Sequence, residues 1–210
     1  MFVKSVMIPK NKCITVNQDD TIEMALNKLE SHQIDGIPVL NDEKFVGTLT
    51  RYDLYENFFF SEQAKEEYMK NTLVKDVAGH VEKILNGNEV FEKTLLDLKD
   101  FPLLAVVDEY MNFLGAVTRF DVLEQFQSAF GTKRSGVRIA FTSVESEGRL
   151  ARLADIARHF HEQIISLVTF DETDKLIRRM VMKIEKKDNI QKFIEKLETS
   201  GFRILDVTED

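Results

Sequence analysis

Val46-Gly47-Thr48-Leu49-Thr50-Arg51-Tyr52-Asp53 recurs as Leu114-Gly115-Ala116-Val117-Thr118-Arg119-Phe120-Asp121, the second copy lying 68 residues further along the chain. Each copy is an apolar run with β-branched members that ends on a Thr. Each then continues into helical spacing, through Leu54 and Asn57-Phe58 or through Val122 and Gln125-Phe126. The pattern reads as a short strand emptying into a helix. Thr-x-x-Asp at such a junction is a capping box: the hydroxyl accepts from an orphan amide, and the carboxylate favours the positive helix end. One copy alone is a fold-stabilising device. The pair says more, because each copy has Gly three residues before the Thr and Arg directly after it. Glycine lets something approach the backbone closely. Helix-start amides with a guanidinium suit an anion, and an Asp three residues in can accept from two ribose hydroxyls. Together these residues describe a nucleotide seat, built twice.

Gly-h-h-Thr-x-x-Asp closing a unit of roughly 55 residues, and doing so twice, resembles a tandem pair of cystathionine β-synthase (CBS) domains. The resemblance covers about residues 1–130. It rests on the two closing motifs, on Ile37-Pro38-Val39, and on the openings Val3-Lys4-Ser5-Val6-Met7 and Val74-Lys75-Asp76-Val77-Ala78. It implies that Thr50 and Thr118 meet phosphate and that Asp53 and Asp121 hold ribose, with Arg51 and Arg119 beside them. By the same analogy Ile14, Thr15, Ile37 and Pro38 line the base pocket of the first seat.

Working outward, repeat one spans about residues 1–60. Cys13 to Val16 reads as a strand, and Asn17-Gln18-Asp19-Asp20 is turn chemistry, with Asp20 or Thr21 as cap. Ile22, Ala25, Leu26 and Leu29 mark an amphipathic helix ending near Ser31. Pro38 reads as the start or the edge of a strand. Phe58-Phe59-Phe60 reads as packing buried between repeats or between two protomers. Charged residues 61–71 form the connection to repeat two, about residues 72–130. That repeat departs from the first by a weak opening strand near Asn86-Gly87-Asn88, a shorter helix from Val90 to Leu98, and Ala105 in the place of Pro38, which puts the second seat in doubt.

After a polar linker at 131–136, residues 137–210 read strand, helix, strand, strand, helix, strand. This is the ferredoxin-like βαββαβ order, with an Asp171-Glu172-Thr173-Asp174 turn in the middle. The fold class is therefore α/β: a CBS pair followed by a ferredoxin-like domain. Glu147-Gly148-Arg149-Leu150 and the residues after it resemble the first loop and helix of ACT domains. That resemblance implies a ligand loop at those four positions, and CBS pairs followed by ACT-like domains are similar to bacterial acetoin-utilisation accessory proteins.

Composition sets bounds. A net charge of −8 argues against a nucleic-acid footprint, and 43% apolar residues suffice for packed cores. A single cysteine, Cys13, forms no internal disulfide and reads as a small buried hydrophobe. The beginning of the chain has no apolar signal region, and no apolar run approaches a membrane span. The expected setting is cytoplasmic. His159 and His161 point to different faces, His32 and His80 stand alone, and no metal site is expected. Phosphate-loop, nucleophile-elbow and zinc-protease motifs are missing, so the reading is a non-enzyme without a cofactor. The ligand that the CBS resemblance implies is an adenine nucleotide: cyclic di-AMP ahead of AMP or ATP. The expected partners are a second copy of the chain and a regulated protein. Two other readings stand beside it: an interaction module whose seats are only capping boxes, and amino-acid sensing through the ACT-like domain.

Overall fold

The computed structural model describes residues 2–144, 146–171 and 176–209, so the turn read at Asp171–Asp174 falls largely outside the described residues. The chain divides into two compact units, Met1–Leu123 and Glu124–Asp210.

In the first unit the strands β1 (Ile8–Pro9) and β2 (Val16–Asn17) precede the helix α1 (Ile22–Ser31), β3 (Gly36–Asn41), β4 (Lys44–Thr50) and α2 (Arg51–Phe59). After the connecting α3 (Lys65–Asn71), the pattern repeats as β5 (Ile84–Leu85), α4 (Thr94–Asp100), β6 (Leu103–Val107), β7 (Phe113–Thr118) and α5 (Arg119–Ala129), a helix that starts in the first unit and continues past its end at Leu123. Thr21, not Asp20, caps α1 by accepting from Met24 N, and Ile22, Ala25 and Leu29 turn inward as their spacing requires. The sheets run β2-β3-β4 and β1-β7-β6-β5. Their hairpins meet tip to tip: Phe45 N donates to Met111 O and Phe113 N to Glu43 O, both at 2.9 Å. Phe45 and Phe113 stack beneath that junction, in an apolar layer with Leu40, Leu103, Ala105, Val107 and Ala116 that is common to both repeats.

The openings of the two repeats are exchanged. Val3 N and Lys4 N donate to Glu89 O and Gly87 O of repeat two, and Ile8-Pro9 pairs with Ala116 and Gly115 on β7. In the mirror arrangement Val74 N and Lys75 N donate to Asp20 O and Gln18 O of repeat one, while Thr48 and Gly79 exchange backbone bonds at 2.7 and 3.1 Å. Val3 is thus buried in the second repeat's core and Val74 in the first's. The motif glycines follow from this. A β-carbon on Gly47 would lie 2.7 Å from Gly79 O, and one on Gly115 would lie 2.2 Å from Ile8 O. What approaches those glycines closely is the other repeat's opening segment.

Several local expectations need correction. The opening strand of repeat one is Val16–Asn17, because Lys10–Lys12 form a tight 3-10 turn that ends at Cys13. Pro38 lies inside β3, between β2 and β4, and is neither its start nor an edge. It is tolerated because β2 reaches only Val39 and Leu40, so no partner strand needs an amide from residue 38. The second repeat's opening strand is no weaker than the first's: both have two residues, and Asn86-Gly87-Asn88 matches Asn17-Gln18-Asp19 in turn geometry. Its helix runs later than expected, with a 3-10 turn at Phe91–Lys93 leading into α4. Phe58 packs on Tyr68 with ring centroids 5.1 Å apart, but Phe59 and Phe60 are 79% and 76% exposed rather than buried between repeats. Phe58 follows Leu54 by one helical turn and shares its inward face, whereas the next two residues rotate outward.

The second unit contains β8 (Val137–Val144), α6 (Arg149–His159), β9 (Ile164–Asp171), β10 (Ile177–Ile184), α7 (Ile190–Thr199) and β11 (Arg203–Glu209). Its antiparallel sheet has the order β11-β8-β10-β9. Ile139, Phe141, Met180 and Met182 on one sheet face pack against Leu153 and Ile156 of α6 and Phe193 and Leu197 of α7. This is the ferredoxin-like arrangement. Gly201 ends α7 with φ 91°, a left-handed position that glycine adopts without strain.

If the exchanged segments dictate glycine, Gly47→Ala and Gly115→Ala should each cost about 1–3 kcal/mol in urea unfolding, since the clash is with backbone. Gly79→Ala, whose β-carbon would meet nothing within 4 Å, should stay near wild type. Equal stabilities for all three variants would remove this explanation.

Candidate functional site

The two closing motifs form the same construction. Thr50 Oγ1 donates to Asp53 Oδ2 at 2.6 Å and accepts from Asp53 N at 3.1 Å, and Thr50 N donates to the same carboxylate oxygen at 3.0 Å. In repeat two, Thr118 Oγ1 and Thr118 N each reach Asp121 Oδ2 at 2.7 Å. The arginines behave alike as well. Arg51 donates through Nη2 to Leu29 O at 2.8 Å and through Nε to Ile34 O at 2.9 Å. Arg119 donates through Nε to Leu98 O at 2.9 Å and to Phe101 O at 3.2 Å. Each guanidinium therefore satisfies carbonyls at the end of the preceding helix, where a cation is favoured. These side chains already have structural work.

They nevertheless border open space. A cavity of about 480 Å³ is lined by Asp35, Thr50, Arg51, Tyr52, Asp53, His80, Asp100, Phe101, Pro102 and Arg119. It joins the first motif to the segment that leads into β6 and to the arginine of the second motif. His80 Nε2 lies 3.1 and 3.2 Å from the two oxygens of Asp53, and its ring packs on Phe101 at a centroid distance of 4.7 Å. A smaller recess of about 230 Å³ takes Thr118 and Arg119 together with Gln33–Gly36, Pro102, Leu103 and Phe120. Asp121 does not line it.

Of the residues expected in the first seat, Thr50, Arg51 and Asp53 come together and Arg119 joins them. The expected base-pocket residues do not. Ile37 is fully buried in the first repeat's core and Pro38 is buried in β3. Ile14 packs against that core, and the Thr15 carbonyl accepts from Lys28 Nζ at 2.9 Å. None of the four lines the cavity. His80, Phe101 and Pro102 do line it and were not read as site residues. The available signal was positional: His80 follows the second repeat's opening segment as Pro9 follows the first.

Elsewhere, Arg149 is buried and donates through Nη1 to Ser143 O and Val144 O, tying the start of α6 back to the end of β8. Gly148 is the left-handed N-cap of α6, and Glu147 and Leu150 are exposed. Cys13 donates its thiol to Ile8 O at 3.3 Å, and burial pushes its pKa up to about 11, so the reactive thiolate is scarce near neutral pH. Among the described residues no group of three His, Cys, Asp or Glu side chains is placed to hold a metal ion, and no helix is long and apolar enough to cross a membrane.

Comparison with known proteins places this geometry. The CBS domain family model matches residues 3–59. The inosine-5'-monophosphate dehydrogenase of Methanocaldococcus jannaschii is 25% identical over 197 residues, which is 91% of this chain and 35% of that protein. The chain spans about a third of the length of the curated relatives it matches. A CBS-domain-containing protein of unknown function from Bacillus anthracis superposes with a TM-score of 0.54 at 26% identity, covering 60% of this chain and 93% of its own. CbpB, solved in complex with c-di-AMP, superposes with a TM-score of 0.53 at 19% identity over 61% of this chain and 85% of its own. Residues 3–59 match the CBS domain family, and the unit that contains them has the fold of CBS-domain proteins.

Proposed function

We propose that this chain is a non-catalytic regulatory sensor that seats an adenine nucleotide between its two CBS repeats. The observation that carries the proposal is the shared cavity, in which Thr50, Arg51 and Asp53 of one motif meet Arg119 of the other. A ligand there touches both repeats, so it stabilises whichever arrangement of them fits it best and thereby alters the surface offered to a regulated protein. Cyclic di-AMP is favoured over AMP and ATP. Both arginines commit N–H donors to helix-end carbonyls, and two guanidinium groups are little fixed positive charge for a triphosphate in an acidic chain. A cyclic dinucleotide spreads its charge and relies more on packing. CbpB, similar to this chain in fold, was solved with that compound.

One observation favours a second reading. The Thr, Asp and Arg side chains are all satisfied within the protein, as they would be in an interaction module whose seats serve only as caps. Calorimetric titration with cyclic di-AMP, AMP and ATP separates the two. The sensor reading expects binding, and it expects Asp53→Ala to weaken that binding by at least tenfold. The same substitution should cost the fold about 1 kcal/mol, as loss of a cap does. Unchanged affinity in Asp53→Ala, or no binding at all, would leave the cap reading in possession.

We also propose that the sensor works as a homodimer. Tyr52, Tyr55, Phe59 and Phe60 on and just after α2, and Phe120, Leu123 and Phe126 on α5, expose apolar surface on the closing helices. Such surface is characteristic of contact sites. Light scattering at micromolar concentration should give twice the chain mass; a monomer with and without nucleotide would refute the assignment.

A further inference from the structure

His80 has no counterpart in the sequence motifs, yet its side chain reaches the Asp53 carboxylate from outside the closing motif. Three observations bear on it. Its backbone has φ 60°, a left-handed conformation that a non-glycine residue holds only at some cost and that tends to persist where surroundings fix it. Its ring packs on Phe101 in the cavity wall. Its Nε2 is within 3.2 Å of both carboxylate oxygens of Asp53.

A carboxylate offers about four acceptor positions. Two at Asp53 are taken by Thr50 N and Thr50 Oγ1, both on Oδ2. His80 stands at a third, which leaves one. A ribose cis-diol that donates two hydrogen bonds to Asp53 needs two. The imidazole and the diol therefore compete for the same oxygen. At the second motif the equivalent place is taken by Pro9, which follows the first repeat's opening segment, pairs with Gly115 and has neither an imidazole nor an N–H.

We propose that His80 is a latch on the first seat: it holds the Asp53 carboxylate when no nucleotide is bound and must release it before a ribose diol can dock. This rests on the nucleotide reading of the cavity with a mononucleotide as its occupant, and it adds the residue that sets mononucleotide affinity. Cyclic di-AMP is not that occupant, because it has each ribose 3′-oxygen in a phosphodiester and presents no cis-diol. The latch lowers the affinity of every diol-bearing ligand by the same factor, so only a ligand with enough binding energy from its base and phosphate occupies the seat at low concentration.

The test has two arms. In the first, 5′-AMP, which carries an intact cis-diol, is titrated into full-length wild type, His80→Gly and His80→Asn. Both replacements tolerate the left-handed backbone, so the fold is kept. Removing a competing hydrogen bond should tighten AMP by about three- to tenfold in both variants, and 2′-deoxy-AMP, which lacks the diol, should gain less. Affinity that is unchanged or weaker in both variants overturns the latch, a weakening meaning that His80 contacts the nucleotide instead. In the second arm, nitrogen-15 NMR of the protein without nucleotide should find the His80 proton on Nε2 in wild type and a mixture of tautomers in Asp53→Ala. The same tautomer mixture in both proteins overturns the latch whatever the titration gives. If the NMR signature is present but AMP binds none of the proteins, the mononucleotide reading fails, and the gating role fails with it, while the His80–Asp53 contact itself stands.

Discussion

Two carbonyl groups hold this architecture in place. Gly79 O and Ile8 O each lie against a motif glycine of the opposite repeat, so close that no side chain fits. Around those contacts each repeat borrows its opening segment from the other. A single unit of about 60 residues buries only enough surface to be marginally stable alone. Here neither repeat can complete its sheet or its core without the other, since Val3 fills one core and Val74 the other. The cavity inherits this dependence. His80 belongs to the segment that runs on from Gly79, so the exchange that closes the first repeat's sheet also delivers His80 to Asp53.

The same few residues meet structural and chemical demands at once. Thr50, Asp53 and Arg51 cap one helix and tie off the end of another, and they also border the space between the repeats. A carboxylate fixed by a capping box is preorganised: its position costs nothing further when a ligand arrives. The constraint is that most of its acceptor capacity is already used. Any ligand that met this carboxylate would have to compensate through its remaining contacts.

The motifs were legible because they are local. A Thr accepting from an amide three residues on, or Leu54 and Phe58 sharing a helix face, depends on near neighbours, and periodicity reports near neighbours. So did the βαββαβ order of the second unit, where each helix carries its own apolar stripe and Gly201 marks a helix end. The exchange was not legible, because Ile8 pairs with a residue more than a hundred positions away and its sequence differs little from any short lead-in. The glycines were read as making room for something, correctly as to crowding, while the identity of the neighbour needed the fold. Ile37 could not be assigned from an apolar run, since a β-branched residue in a strand flanked on both faces by packed elements looks the same whether it faces core or cavity. Pro38 misled for a related reason: whether its missing amide matters depends on how far β2 extends. His80 stood alone in sequence because its partner, Asp53, lies 27 residues before it.

The central claim is that the exchanged openings make one cooperative body of the two repeats. Native-state hydrogen exchange under rising denaturant tests it most directly, because it reports the opening free energy of each element separately. The strand amides of β4 and β7 should merge into a single opening with the same free energy and the same denaturant dependence. If the β7 amides instead open first, at a clearly lower free energy and with β4 still protected, the repeats are separate folding units and the exchange is not what holds them together.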